Sequence, residues 1–274
     1  MIDAVLDLLR CPRCAARFEI HGRTLRCAGG HVFDVARQGY VNLIGSGQPM
    51  HADSSAMVSA RAELLDSGRY AALAGGLVAV VPADVGTVID VGSGTGHYAA
   101  AALEARPGAR GLGIDLSVAA CRRAARAHSR LGVAAADAWR VLPVADGCAD
   151  VVLSVFSPRN AGEFVRVLRP GGTVITVIPR HDHLIELRDA LGLLGVEADK
   201  ETRLGDAFRR AGLRPVEHRL VESRALWQPD DAVRSVMMGP NAFHTTTDEV
   251  RAAASRLPWP QPVTVACQII RWTR

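Results

Sequence analysis

Lysine is almost missing from this chain of 274 residues: Lys200 is the only one, and arginine supplies every other basic side chain. The skew suits the Arg, Ala, Gly and Val codons of a GC-rich genome, so composition alone assigns no role to arginine's planar, phosphate-matching fork. No stretch approaches the ~18–20 uninterrupted apolar residues of a membrane span. The first residues lack the basic-then-apolar order of a secretion signal, because Asp3 and Asp7 interrupt it. A cytoplasmic protein with no membrane partner is therefore expected. Six cysteines without such a signal argue against a disulfide framework. No internal repeat is present, and a net charge of +4 is too mild to exclude much.

With 49% apolar residues, the length suffices for one large α/β domain plus a small module. Residues 1–45 are short-stepped and turn-rich, with strands expected around Phe18–Ile20, Thr24–Arg26 and Val32–Val35. Gly45-Ser46-Gly47-Gln48-Pro49 reads as a linker. Residues 46–84 then carry joining helices: one capped by Asp53 or Ser54 and stopped by Gly68, another over Tyr70–Val80. From residue 85 to 274 the pattern alternates strand and helix. Strands are expected at Thr87–Val91, Arg110–Ile114, Val133–Ala136, Asp150–Val155 and Thr173–Ile178. Helices are expected at Tyr98–Ala105, Val118–Ser129 and Ala161–Leu168, with further ones near His183–Leu194 and Gly205–Ala211. Strands near Arg214–Val221 and Val263–Trp272 complete a mostly parallel, doubly wound sheet.

The first strand of that sheet runs into Asp90-Val91-Gly92-Ser93-Gly94-Thr95-Gly96. Glycines there permit a sharp turn and close approach of backbone to ligand. The acid before the first glycine would repel a pyrophosphate but suits the ammonium of a methionine moiety. Asp115 ends the next strand, where a carboxylate can accept both ribose hydroxyls. Asp137, beside Ala138, follows the third strand, where an adenine amino group would find a carboxylate. Three acids at successive strand ends, with Leu168-Arg169-Pro170-Gly171-Gly172 before the fifth strand, resemble the class I S-adenosylmethionine methyltransferases over residues 85–180. The resemblance implies a Rossmann-like, seven-stranded sheet. It also implies a cofactor held by Asp90, Gly92, Ser93, Gly94, Gly96, His97, Tyr98, Asp115, Leu116, Asp137 and Ala138.

Cys11-x2-Cys14 and Cys27-x3-His31 have the spacing of a closed four-ligand zinc knuckle. Such a site has no open position, so its zinc is structural and supplies folding energy that a short segment cannot draw from a core. His21 is a competing ligand of less conventional spacing. Arg10, Arg13, Arg17, Arg23 and Arg26 surround the ligands, either as phosphate contacts or as a solvated surface. The remaining cysteines, Cys121, Cys148 and Cys267, read as small buried apolar residues.

Taken whole, the chain resembles the bacterial 23S ribosomal RNA guanine-N1 methyltransferases. The match runs through the Cys/His module, His31-Val32-Phe33-Asp34 and Gln38-Gly39-Tyr40-Val41-Asn42-Leu43. It continues through Asp53-Ser54, Met57, Ala60-Arg61, Leu65-Asp66-Ser67-Gly68-Arg69-Tyr70 and His183-Leu184-Ile185-Glu186-Leu187. The family modifies guanine 748 or guanine 745 of one hairpin, and the 748 branch is linked to tylosin-type macrolide resistance. The arginine-heavy composition suits an actinobacterial source and hence guanine 748. The resemblance implies a 23S rRNA hairpin as partner and admits a homodimer.

Phe156-Ser157-Pro158-Arg159 stands where amino-directed enzymes carry Asn/Asp-Pro-Pro-aromatic, which fits a ring-nitrogen acceptor. Guanine N1 must lose a proton, so a general base is expected. His183, Glu186 and Asp53 are candidates because they lie in family-like segments, and each also reads as a cap or surface residue. Phe156 could stack on the base and Arg159 could meet a phosphate or the guanine carbonyl; a core phenylalanine and a plain salt bridge are the alternatives. Two other functions also suit parts of the sequence. A small-molecule methyltransferase of antibiotic biosynthesis would need no arginine-rich zinc module, and a non-catalytic RNA-binding protein would transfer no methyl group.

Overall fold

The computed structural model describes residues 2–44, 52–193, 195 and 200–274. The linker expected at 45–49 lies outside them.

The apolar run Thr87–Val91 (β5) is buried along its whole length, as a central parallel strand must be. Beside it lie Arg110–Asp115 (β6), Leu131–Ala135 (β7), Ala149–Val155 (β8) and Leu168–Pro179 (β9), all parallel to it. Two long strands, Arg214–Trp227 (β10) and Gln261–Thr273 (β11), close one side, with β11 antiparallel to both β9 and β10. The seven expected strands are thus present. An eighth joins them: Tyr40–Asn42 (β4) pairs parallel with β7 at the far edge. The order is β10-β11-β9-β8-β5-β6-β7-β4, which reverses direction at β5 and opens a crevice at its carboxyl end.

Several expected boundaries shift. The helix after β6 spans only Val118–Ala124 (α4), not to Ser129, because the chain turns at 125–127 before His128 Nδ1 accepts the Arg130 amide at 3.0 Å. The helix expected from His183 starts two residues later, at Ile185–Leu191 (α6), since Leu184 adopts a left-handed φ of 54°. Ser55–Asp66 (α1) is capped by Ser54, whose hydroxyl accepts the Met57 amide at 3.2 Å. Ala71–Val80 (α2), His97–Glu104 (α3), Ala161–Val167 (α5) and Lys200–Arg210 (α7) fall near their expected places. Pro229–Met237 (α8) and Thr247–Ala254 (α9) were not foreseen.

Phe18–His21 (β1), Thr24–Cys27 (β2) and Val32–Asp34 (β3) form a separate antiparallel sheet. It has no core of its own. Phe18, Leu25 and Phe33 pack in one apolar cluster with Leu8, Leu9, Ile89, Leu112, Phe164 and Trp272 of the larger unit. The 3-10 turn Ile2–Leu8 carries this docking: Leu9 bridges Val144, and the Arg10 and Ala145 amides donate to the Pro143 and Leu8 carbonyls. Among the described residues no helix is long and apolar enough to cross a membrane.

Candidate active site and metal centre

The glycine turn follows from how β5 must leave the sheet. Gly92, Gly94 and Gly96 take φ of 74°, 53° and 78°, where a side chain is strained. The Gly92 and Ser93 amides both donate to Ile114 of β6, at 2.8 and 3.0 Å, stitching the turn to the neighbouring strand. A Cβ on Gly92 would lie 2.3 Å from Ser157 Cβ, and one on Gly94 would lie 3.3 Å from Arg61 Nη1. The turn is therefore packed between the loop after β8 and the helix α1.

Asp90 is 2% exposed, and its Oδ1 has no hydrogen-bond partner. Burial pushes its carboxyl up to about 7, the nearby Asp115 adds to the rise, and the Ala99 amide opposes it. Ser93 Oγ is also buried without a partner. Buried polar atoms are ordinarily paired, so two orphans at one turn fit a ligand offering a cation and a hydrogen-bonding partner. Asp115 accepts the Gly94 amide at 2.7 Å and the Ser117 amide at 2.8 Å, which fixes its carboxylate at the strand end. Burial still holds it above its ordinary value despite those two donors. Asp137 accepts the Trp139 amide at 2.9 Å; Ala138 next to it is buried, and Leu116, after the end of the neighbouring β6, is half-buried. These acids line the carboxyl edge of β5, β6 and β7 and make it suited to a cationic nucleoside.

Tyr98 stands on this side, within the electrostatic reach of Tyr70, Arg61 and Asp90. The His97 ring meets the Tyr98 ring edge-on, with centroids 5.1 Å apart. It lines a crevice of about 380 Å³ with Asp66, Thr95, Arg123 and Arg126, between α1, α3 and α4. One residue that sequence reasoning left without a role lies over the turn. Arg61 pairs with Asp53 at 2.6 Å and donates to the Met238 carbonyl at 2.5 Å, joining α1 to α8 above Gly94. Its partner Met238 is distant in sequence, so no local signal marks the contact.

The general-base candidates are all engaged. His183 Nδ1 accepts the Ala266 amide at 3.2 Å, so its proton sits on Nε2, 3.3 Å from the Tyr70 hydroxyl. Burial holds this imidazole neutral, down to about 4. Both oxygens of Glu186 bond to Thr264, at 2.6 and 2.9 Å. Asp53 faces Arg61. Phe156 is 41% exposed at a left-handed φ of 53°, unlike a core phenylalanine. Arg159 forms no salt bridge among the described residues, and its Nε is buried without an acceptor. Trp139, not singled out from the sequence, is 67% exposed on the neighbouring loop. Asn160 ties the two loops, donating to the Trp139 and Arg140 carbonyls at 3.4 and 3.3 Å.

At the other end, the ligand atoms of Cys11, Cys14, Cys27 and His31 lie within 4.8 Å of one another. Cys11 Sγ and Cys27 Sγ approach His31 Nδ1 at 3.5 and 3.4 Å, and Cys14 Sγ stands 3.5 Å from Cys27 Sγ. Three thiols and an imidazole at such separations fit one tetrahedral zinc, with no position left for substrate. His21 is outside the set and lies 3.6 Å from Glu19. Arg10 and Arg23 are spent on backbone carbonyls, whereas Arg13, Arg17 and Arg26 project exposed from the module.

Comparison with known proteins agrees with both halves. Residues 9–48 match the RlmA N-terminal zinc-ribbon family, and residues 88–172 match a methyltransferase domain family. The chain is 46% identical, over 96% of its length and 95% of the relative's, to the 23S rRNA (guanine(748)-N(1))-methyltransferase of Streptomyces fradiae. It is 41% identical, over 98% of both chains, to a protein of Micromonospora griseorubida assigned as a 23S rRNA (guanine-N(1)-)-methyltransferase. Among solved structures, a methyltransferase in complex with the Haloferax volcanii Trm112 activator superposes with a TM-score of 0.54 at 21% identity, over 82% of this chain and 100% of that one. That likeness concerns the fold.

Proposed function

The chain belongs to the 23S rRNA guanine-N1 methyltransferase family, and we propose that it transfers the methyl group of S-adenosylmethionine to N1 of guanine 748 in a 23S rRNA hairpin. The observation that carries this reading is the buried Asp90 carboxyl on a glycine turn, whose Oδ1 has no partner and suits a cation such as the methionyl ammonium. Asp115 would take the ribose hydroxyls, and Leu116, Asp137 and Ala138 would enclose the adenine. The bound cofactor supplies an electrophilic methyl on sulfur; the protein's part is orientation and exclusion of water. Zinc would be held by Cys11, Cys14, Cys27 and His31.

In this reading residues 1–45 recognise RNA, 46–84 join the units, and 85–274 carry transfer. The exposed Arg13, Arg17 and Arg26 support phosphate contact by the zinc unit, because free guanidinium groups suit the RNA backbone. They also disfavour a small-molecule acceptor. The activity belongs in the cytoplasm, where ribosomes are made, and would contribute to tylosin-type macrolide resistance. A homodimer is the proposed assembly, to be read by sedimentation of the same preparation.

Primer extension on a hairpin transcript after incubation with labelled S-adenosylmethionine tests the function. A stop at guanine 748 is expected. A stop at the 745 position would move the chain to the other branch. Label confined to small products would overturn RNA as the acceptor, and RNA retention without transfer would leave a binding protein.

A further inference from the structure

The reaction needs the N1 proton to leave, yet His183 Nδ1 accepts the Ala266 amide, both Glu186 oxygens accept from Thr264, and Asp53 pairs with Arg61. The unmet demand at the acceptor rim is of the opposite sign. Arg159 has no ion pair or hydrogen bond among the described residues, and its Nε is sealed from water without an acceptor. Burying a guanidinium without an anion is costly, and here burial pulls its pKa below the ordinary value. A cation kept in that condition points to an anionic ligand.

Its position says which one. Ser157, two residues earlier, donates to the Val91 carbonyl at 2.6 Å and packs against Gly92, so the loop lies directly on the cofactor turn. Asn160, one residue later, binds the loop bearing Trp139. Arg159 thus lies on a loop that carries the exposed Phe156 ring and is tied to the loop of the exposed Trp139, and both rings offer stacking surfaces to unpaired bases. A phosphate would bring its charge to an exposed arginine more cheaply than to a half-buried one on a loop bearing base-stacking rings.

Resting on the proposed guanine-N1 reaction, we propose that Arg159 pairs with O6 of the target guanine and stabilises the anion formed when N1 loses its proton to solvent. Loss of that proton spreads negative charge over N1 and O6. The N1 electron pair then attacks the methyl carbon, and the carbon–sulfur bond breaks toward sulfur, turning the sulfonium into a neutral thioether. A cationic donor and a neutral guanine give two neutral products and one proton, which water or buffer takes. Arg159 keeps its charge throughout, acting as an electrostatic catalyst rather than a base.

The test uses the full-length, zinc-loaded protein and the hairpin transcript, with single-turnover rates followed from about pH 6 to pH 9. A wild-type protein that places no methyl on N1 overturns the parent reading instead. Given wild-type transfer, Arg159→Gln should slow it about 100-fold at neutral pH. It should also move the rising limb up by about one unit or more, and Arg159→Lys should recover part of both. An unshifted limb with only weaker, less salt-dependent RNA binding would make Arg159 a phosphate contact and overturn the proposal. So would an Asp182→Asn variant that abolishes the limb, since Asp182 Oδ1 is the buried, unpartnered carboxylate oxygen of the loop after β9. A measurement on the wild type stands apart from any folding defect. A hairpin with 2-aminopurine at the target position, lacking O6, should bind about tenfold more weakly than guanine, and equal binding overturns the inference.

Discussion

The Asp90 carboxyl is 2% exposed, with Oδ1 unpartnered, so ionising it in the cofactor-free protein works against the fold. Its folded-state value of about 7 lies above the ordinary 3.8, chiefly through burial. A carboxyl raised in this way gives its full contribution below about pH 4 and loses it as the pH climbs through 7. At 1.36 kcal/mol per unit, the loss reaches about 4 kcal/mol on the alkaline side. Asp90→Asn removes the ionisation, so the cofactor-free variant should gain stability over the wild type as the pH rises. Denaturant unfolding at pH 8 and pH 5 should show the variant's advantage larger at pH 8 by roughly 2–3 kcal/mol. The same change would remove the proposed partner of the methionyl ammonium. S-adenosylmethionine affinity by calorimetry at pH 8 should fall by at least about thirtyfold, the scale for losing one member of a buried charge pair. Wild-type binding should tighten as the pH passes 7, because the ligand selects the ionised acid. An advantage independent of pH, or unchanged cofactor affinity, would refute the reasoning.

Gly92→Ala should abolish cofactor binding and cost about 2–3 kcal/mol, because its Cβ would meet Ser157 Cβ at 2.3 Å in a left-handed turn. Gly68→Ala, at φ 80° with nothing within 4 Å, should cost only about 1 kcal/mol in denaturant unfolding and leave transfer intact. Trp139→Ala should raise the KM for the hairpin about tenfold while S-adenosylmethionine binding stays the same, since one base-stacking surface is lost. Metal analysis should find one zinc per chain. Its chelation should lower the thermal midpoint of the whole protein, because Phe18, Leu25 and Phe33 share a core with Ile89 and Trp272; an unchanged single transition would refute that coupling.

Features with local causes were legible in the sequence. Ser54 and Gly68 bracket α1 by capping and left-handed φ, and the glycines of the cofactor turn take the conformations their type allows. The zinc ligands were readable because a tetrahedral site needs only two tight turns at fixed spacing. Helices α8 and α9 were missed although both carry local signals. Gln228 and Asp231 form one capping box, Thr246 and Glu249 the other, and Pro229 sits in the first turn of α8. The short strand β4 was missed for a different reason. Three residues hold no readable period, and what makes them a strand is the exposed edge of β7. Nor could the sequence say that His183 is spent on Ala266 and Tyr70, or that Arg159 Nε is buried without an acceptor among the described residues. Those facts arise from contacts between segments far apart in the chain.

The edge of β7 also explains how a zinc unit can serve a methyl-transfer site. Tyr40, Val41 and Asn42 pair with Val133, Ala134 and Ala135, and the Leu43 amide adds a further bond to the Ala135 carbonyl. The next residues on β7's side are Ala136 and Asp137, at the proposed adenine site, and then Trp139 at the rim. The same loop returns through Pro143, Val144 and Ala145 to the backbone of Leu8, Leu9 and Arg10, immediately before Cys11. The N-terminal segment therefore grips this stretch at both ends, so the zinc ligands and Trp139 are held in one frame by backbone bonds rather than by a flexible tether. RNA bound by the arginines of the zinc unit would be fixed in distance from Phe156, Arg159 and the cofactor turn. A substitution that weakens the Leu9–Val144 contact should then uncouple RNA binding from transfer, lowering kcat more than it raises KM, while changes to Arg13 or Arg17 should act on KM alone.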